Sequence, residues 1–131
     1  MSESILWNEM GNLHMRLGSY EDAATAFGKA IELSPDFSKA YCNLGHAYFS
    51  KGDYEGAIPL LQKSIDLSAS AQEQSVAWKR LGDAYQKRGD YEKALTAYKT
   101  SDELDALSDI GLINPFANLA VNVTPDPMIL E

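Results

Sequence analysis

The chain has 131 residues and a formal charge of −8, from 11 Lys and Arg against 19 Asp and Glu. Its 45% hydrophobic and 23% charged residues are the balance of a folded globular protein, which excludes global disorder. The single cysteine, Cys42, excludes an internal disulfide and a zinc site on paired cysteines, and the acidic excess argues against a sequence-independent nucleic-acid binder.

The first residues, Met1-Ser2-Glu3-Ser4-Ile5-Leu6-Trp7, lack the basic start and apolar core of a signal peptide. No apolar run approaches the roughly 20 residues that span a bilayer. The expectation is a cytoplasmic protein with no membrane partner. From Trp7 onward a pattern begins: Trp7, Met10, Gly11, His14, Gly18, Tyr20, Ala23, Phe27, Ala30 and Pro35. It returns 34 residues later as Tyr41, Leu44, Gly45, Tyr48, Gly52, Tyr54, Ala57, Leu61 and Ser64, with Ala69 in the proline column. A further 37 residues bring Trp78, Leu81, Gly82, Tyr85, Gly89, Tyr91, Ala94, Tyr98 and Ser101. Chance does not align so many columns three times.

Each copy predicts two helices, because apolar residues recur at three- and four-residue steps on both sides of a glycine turn. Gly18, Gly52 and Gly89 suit the left-handed end of the first helix, and Ser19, Asp53 and Asp90 are placed to cap the second. Gly11, Gly45 and Gly82, opposite Ala23, Ala57 and Ala94, predict close approach of the paired helices. Pro59 removes one hydrogen bond from its helix and predicts a slight bend. Before the third copy stand three extra residues and Ser70-Ala71-Gln72-Glu73, with the form of a capping box, so that helix is expected to begin near Ala71.

These columns resemble the tetratricopeptide repeat, whose pattern is Trp-x-x-Leu-Gly-x-x-Tyr followed by Ala, Phe, Ala and Pro over about 34 residues. Three repeats, 4–37, 38–71 and 75–108, make a domain over 1–108. The resemblance implies an all-α fold, a right-handed α-solenoid of antiparallel helix pairs with a concave face lined by the first helices. It also implies a protein that binds peptides or protein segments. The tail, 109–131, belongs to no repeat. Asn114-Pro115 predicts at most a short helix there, and Ile110, Leu112, Ile113, Phe116 and Leu119 are expected to dock on the third repeat. Thr124-Pro125-Asp126-Pro127 reads as extended and mobile. Neither end carries a conventional cap, as expected of a segment of a longer protein.

No catalytic set emerges, and no enzyme, metal or cofactor is expected. Cys42 and His46 lie four apart on one helix, but no acid or amide stands ready to orient the histidine. His14 reads as a packed, hydrogen-bonded core histidine. Asn122-Val123-Thr124 matches a glycosylation acceptor without a secretory signal before it.

Subtracting the packing columns leaves a grid on the concave side. Its rows are Ile5, Lys39 and Val76; Asn8, Cys42 and Lys79; Asn12, His46 and Asp83; then Met15, Phe49 and Gln86. Glu9, Asn43 and Arg80 run beside them. The candidate peptide-binding set is Ile5, Asn8, Asn12, Met15, Lys39, Asn43, His46, Phe49, Lys79, Arg80 and Asp83. Met15, Phe49, Ile5 and Val76 stand out as apolar side chains that packing does not require. Segments 4–17, 38–51 and 75–88 hold seven basic and two acidic side chains, a net of +5 that leaves −13 elsewhere. That sorting favours an acidic segment or a C-terminal carboxylate. One subclass of the family clamps a chaperone's terminal carboxylate with two lysines, two asparagines and an arginine. Asn12, Asn43 and Arg80 match it, whereas Asn8 and Val76 occupy the lysine columns, so the grip on a carboxylate is expected to be weak. The alternative function is a structural spacer or a self-assembling segment that acts through array ends and tail.

Overall fold

A computed structural model describes residues 2–109, which form six α-helices. They are α1 (Glu3–Arg16), α2 (Tyr20–Leu33), α3 (Ser38–Ser50), α4 (Tyr54–Leu67), α5 (Ala71–Arg88) and α6 (Tyr91–Asp109). The expected tail helix at Asn114-Pro115 and its apolar set lie outside the described residues. Among the described residues, no helix is long and apolar enough to cross a membrane.

The helices pair as α1–α2, α3–α4 and α5–α6, and the pairs stack into an α-solenoid. Glycine sets the closeness of each pair. A Cβ on Gly11 would lie 2.4 Å from the Phe27 ring, one on Gly45 2.8 Å from Leu61, and one on Gly82 2.8 Å from Tyr98. Those side chains use the space a methyl would take. Phe27 and Leu61 are fully buried by this fit. Successive pairs stack through small residues: Ala47 packs with Ala23 and Phe27, while Ala77, Leu81 and Ala84 pack with Ala57, Ile58 and Leu61.

The turns follow the expected chemistry with local differences. Gly89 ends α5 at φ 88°, a left-handed conformation that costs a residue with a Cβ far more. Asp53 caps α4, accepting the Gly56 N–H at 2.9 Å. Ser19 makes no side-chain cap bond, and Asp90 instead faces Arg88 at 3.5 Å. Pro59 lies in the second turn of a continuous α4. α5 begins at Ala71, with Ser70 accepting the Glu73 N–H at 3.1 Å. The reciprocal half of the capping box is diverted, because the Glu73 carboxylate accepts the Ser38 hydroxyl at 3.0 Å.

A column of serines, unremarked in the pattern above, opens each repeat. Ser4, Ser38 and Ser75 are buried at the start of the first helices. Ser34 donates to the Ser4 hydroxyl, Ser64 to the Ser38 carbonyl and Ser101 to the Ser75 carbonyl, each at 2.9 Å. These bonds tie the N-terminus of each first helix to the C-terminal half of its partner and give the buried Ser64 and Ser101 hydroxyls an acceptor.

Candidate functional site

The concave side of α1, α3 and α5 holds two adjoining cavities. The larger, about 450 Å³, is bordered by Asn8, Asn12, Lys39, Asn43, Val76 and Arg80, together with Glu9 and Glu73. The smaller, about 340 Å³, is bordered by Asn12, Met15, Asn43, His46 and Arg80, again with Glu9. Helical spacing puts Asn8, Asn12 and Met15 on one side of α1, and Asn43 and His46 beside them on α3.

A polar ladder crosses the three helices at the join of the cavities. The Asn43 amide donates to Asn8 Oδ1 at 3.0 Å, and Arg80 Nη1 donates to Asn43 Oδ1 at 3.3 Å. The same guanidinium nitrogen lies 3.4 Å from Cys42 Sγ. Asn8 is the buried end of the ladder, with 4% of its surface exposed, so its amide serves the neighbouring helix before any ligand. Arg80 keeps further N–H donors for the cavity. Asn12 is half-buried and makes no side-chain hydrogen bond among the described residues.

The other candidates divide by position. Ile5 and Lys39 border a third cavity, about 490 Å³, beside Ser38 and Glu73. Met15 is half-buried against Ala23, Phe27 and Ala47. Phe49 packs toward the core and Tyr54, with ring centroids 5.2 Å apart, and lines neither groove cavity. His46 stacks beside it at 6.4 Å. Lys79 is exposed away from both cavities, and Asp83 accepts the Tyr98 hydroxyl on α6. His14 is half-buried and, among the described residues, has no side-chain hydrogen bond.

Glu73 is a charged groove residue that spacing alone did not reveal, and Ser38, Ser70 and Gln72 border the same cavity. The extra turn at the start of α5 carries Glu73 over the N-terminus of α3, and those three additional residues are the signal that could have found it. The turn also alters the electrostatics. With the helices as found, α1, α3 and α5 hold six basic and four acidic side chains, a net of +2. Lys51 falls beyond α3 and pairs with Glu21 at 3.0 Å. Around the larger cavity, Lys39 and Arg80 face Glu9 and Glu73. The groove is mixed in charge, less basic than the sequence segments imply.

Burial pushes the Cys42 thiol up from its usual range, against the opposing pull of Arg80. Burial first, and then the Arg80 charge, push the His46 pKa down, with Asp83 opposing. His46 is thus neutral at physiological pH. Among the described residues, no group of three or more metal-ligating side chains converges.

Models of the tetratricopeptide repeat match residues 8–72 and 75–101. The small glutamine-rich tetratricopeptide repeat-containing protein 2 of Mycosarcoma maydis is 36% identical over 55 residues, which is 42% of this chain and 16% of that protein. FK506-binding protein 5 of Rhizopus delemar is 30% identical over 67 residues, 51% of this chain and 17% of that protein. The chain thus spans less than a fifth of either curated relative. The Sgt2 TPR domain from Aspergillus fumigatus superposes with a TM-score of 0.75 at 26% identity, covering 81% of this chain and 68% of that one. The N-terminal domain of stress-induced protein-1 from C. elegans gives 0.71 at 25%, covering 77% and 83%. The first TPR of Spaghetti (RPAP3), solved with HSP90 peptide SRMEEVD, shares the fold with a TM-score of 0.74 at 22% identity, covering 79% and 80%. Three glycine-matched helix pairs, their stacking and these matches have one reading: the chain belongs to the tetratricopeptide repeat family, whose members mediate protein–protein interactions.

Proposed function

We propose that the chain is a non-enzymatic module that holds an extended peptide or protein segment in the groove of α1, α3 and α5. The observation that carries this reading is the pair of adjoining cavities with Asn12, Asn43 and Arg80 at their join. The ladder holds Asn43 and Arg80 in fixed orientations, so less side-chain freedom is lost when a ligand arrives. Asn12 can both donate to and accept from a peptide backbone. Met15 and Val76 offer apolar contact at the two cavities.

The mixed charge favours a segment with both signs over a uniformly acidic one. A terminal carboxylate would meet Arg80 and the two asparagines, as in the chaperone-clamping subclass. Here the lysine columns hold Asn8, which is engaged with Asn43, and Val76. The HSP90 peptide of the similar fold is therefore a suitable probe with a weak expected outcome. SRMEEVD and a library of peptides with free C-termini are titrated by fluorescence anisotropy against the whole chain. Asn12→Ala and Arg80→Ala should each weaken the best library peptide by about tenfold, the scale of a lost charge-assisted hydrogen bond. The Arg80 effect should shrink with added salt. Peptides that bind both variants as well as the parent would rule out the groove.

A further inference from the structure

The outer face of α1 differs from that of the other first helices. Leu6, Met10 and Leu13 occupy the columns held by Ala40, Leu44 and Ala47 in α3 and by Ala77, Leu81 and Ala84 in α5. In α3 and α5 this face packs on the preceding repeat, and all four alanines are fully buried. Among the described residues the same face of α1 is open: Leu6 is 51% exposed, Met10 38%, Leu13 58% and Leu17, the C-cap one column further, 77%. A solenoid end that faces water carries polar side chains there. Four large apolar ones need a partner.

The pattern narrows what that partner is. A preceding repeat in the register used inside this array would meet leucine where alanine permits close approach, and overfilled contacts of that kind are destabilising. The four side chains are spaced four, three and four residues apart, the seam of a two-helix coiled coil. Glu9 and Arg16, both exposed, flank that seam seven residues apart on its groove side. If a second α1 lies antiparallel, with Leu6 facing Leu17 and Met10 facing Leu13, each Glu9 falls beside the other copy's Arg16. Both flanking pairs are then opposite in sign. A parallel arrangement sets Glu9 against His14 and has no such match.

We propose that this face is a twofold dimer interface, α1 packing antiparallel on α1 of a second copy of the chain. One patch serves both subunits, as closed symmetry requires. The inference does not rest on the groove reading, although Glu9, Leu13 and Arg16 also border the smaller groove cavity. Four apolar side chains per copy make a small interface, so the dimer is expected at concentrations on the order of 10–100 μM and above.

Sedimentation velocity of the whole chain over a concentration series tests this. The expected result is a reversible monomer–dimer equilibrium. Leu13→Lys should weaken it at least about tenfold, since each dimer contains the substitution twice. Circular dichroism should be unchanged, because Leu13 is exposed in the monomer. Glu9→Arg should weaken dimerisation severalfold by setting like charges together, and the double reversal Glu9→Arg/Arg16→Glu should restore it. Arg80→Ala should leave the dimer intact, which separates this interface from the groove. A chain that stays monomeric throughout overturns the proposal, as does a dimer indifferent to Leu13→Lys. A double reversal no better than the single one overturns the antiparallel arrangement.

Discussion

Within each repeat the helices meet at a glycine and a large side chain, and the arrangement recurs three times. Across the concave face the first helices meet through the Asn8–Asn43–Arg80 ladder, which occurs once. The first contact is governed by volume: what matters is whether a ring fits where a methyl is missing. The second is governed by polar satisfaction, since a buried amide without its partner is costly. A repeat protein can thus keep its packing columns constant and vary its groove, because the two use different side chains and different physics.

The sharpest way to break this comparison is to fill the glycine column. Gly11→Ala would press a Cβ against Phe27, a fully buried ring whose only outlet among the described residues is the smaller groove cavity. The gain in helix propensity, about 1 kcal/mol, does not offset that overlap. A net loss of about 2 kcal/mol is expected, with a fall in melting temperature on the order of 10 °C. Gly82→Ala meets the Tyr98 ring at 2.8 Å, but that ring is only partly buried and can swing outward. It should cost under about 1 kcal/mol. Equal losses at the two sites, read by thermal melting, would mean that ring mobility does not set the cost.

The ladder comes next in size. Asn43→Ala removes the donor to Asn8 Oδ1 and leaves a buried acceptor unpaired, a cost of about 1–3 kcal/mol before any ligand is present. Asn12→Ala removes no bond among the described residues and should stay within about 0.5 kcal/mol of the parent. Denaturant melts of the two variants should therefore separate clearly. If they coincide, Asn43 does not hold the concave face together. Cys42 reports on the same region more gently. Its thiol is buried with a raised pKa, so a thiol reagent should label the folded chain far more slowly than the unfolded one. Rapid labelling of folded protein would show that the face opens readily.

The difference between the regions also explains what could be read from sequence. The helix pairs, the glycine turns and the early start of α5 were legible because each rests on a local rule repeated at a fixed interval or on a cap beside its helix. The groove was legible as a location, for Asn12, Asn43, His46 and Arg80 do gather at the cavities. Its internal bonds were not. Asn8 and Asn43 lie 35 residues apart, one step off the 34-residue repeat, so their contact is diagonal and invisible to column-by-column reading. Phe49 and Asp83, expected in the same set, border neither cavity, for a different reason. A side chain absent from the shared pattern still finds a local neighbour, Tyr54 in one case and Tyr98 in the other. The serine column was in register all along, but small polar residues give no periodic hydrophobic signal.

Tyr98 belongs to both regions and supplies the finest test. Its ring fills the space above Gly82, while its hydroxyl donates to Asp83 and lies 3.1 Å from Gln86 Oε1 on α5. Burial, then the hydrogen bond to Asp83 and its charge, push the phenol pKa up to about 12 from 10.0. The folded state thus holds the phenolic proton more tightly than the unfolded chain. Any stability from this linkage is fully present below pH 10, and it is lost as pH rises from 10 toward about 12. The ring is partly exposed, so the effect on stability is small, and the titration itself is the better readout. The alkaline absorbance difference between the parent chain and Tyr98→Phe should show one late-titrating phenol, which Asp83→Asn should move to lower pH. Tyr98→Phe keeps the ring and should melt near the parent at neutral pH, unlike Gly11→Ala. A Tyr98→Phe chain with an unchanged alkaline titration, or a melting temperature lowered as far as that of Gly11→Ala, would show that volume and hydrogen bonding are not separable at this side chain.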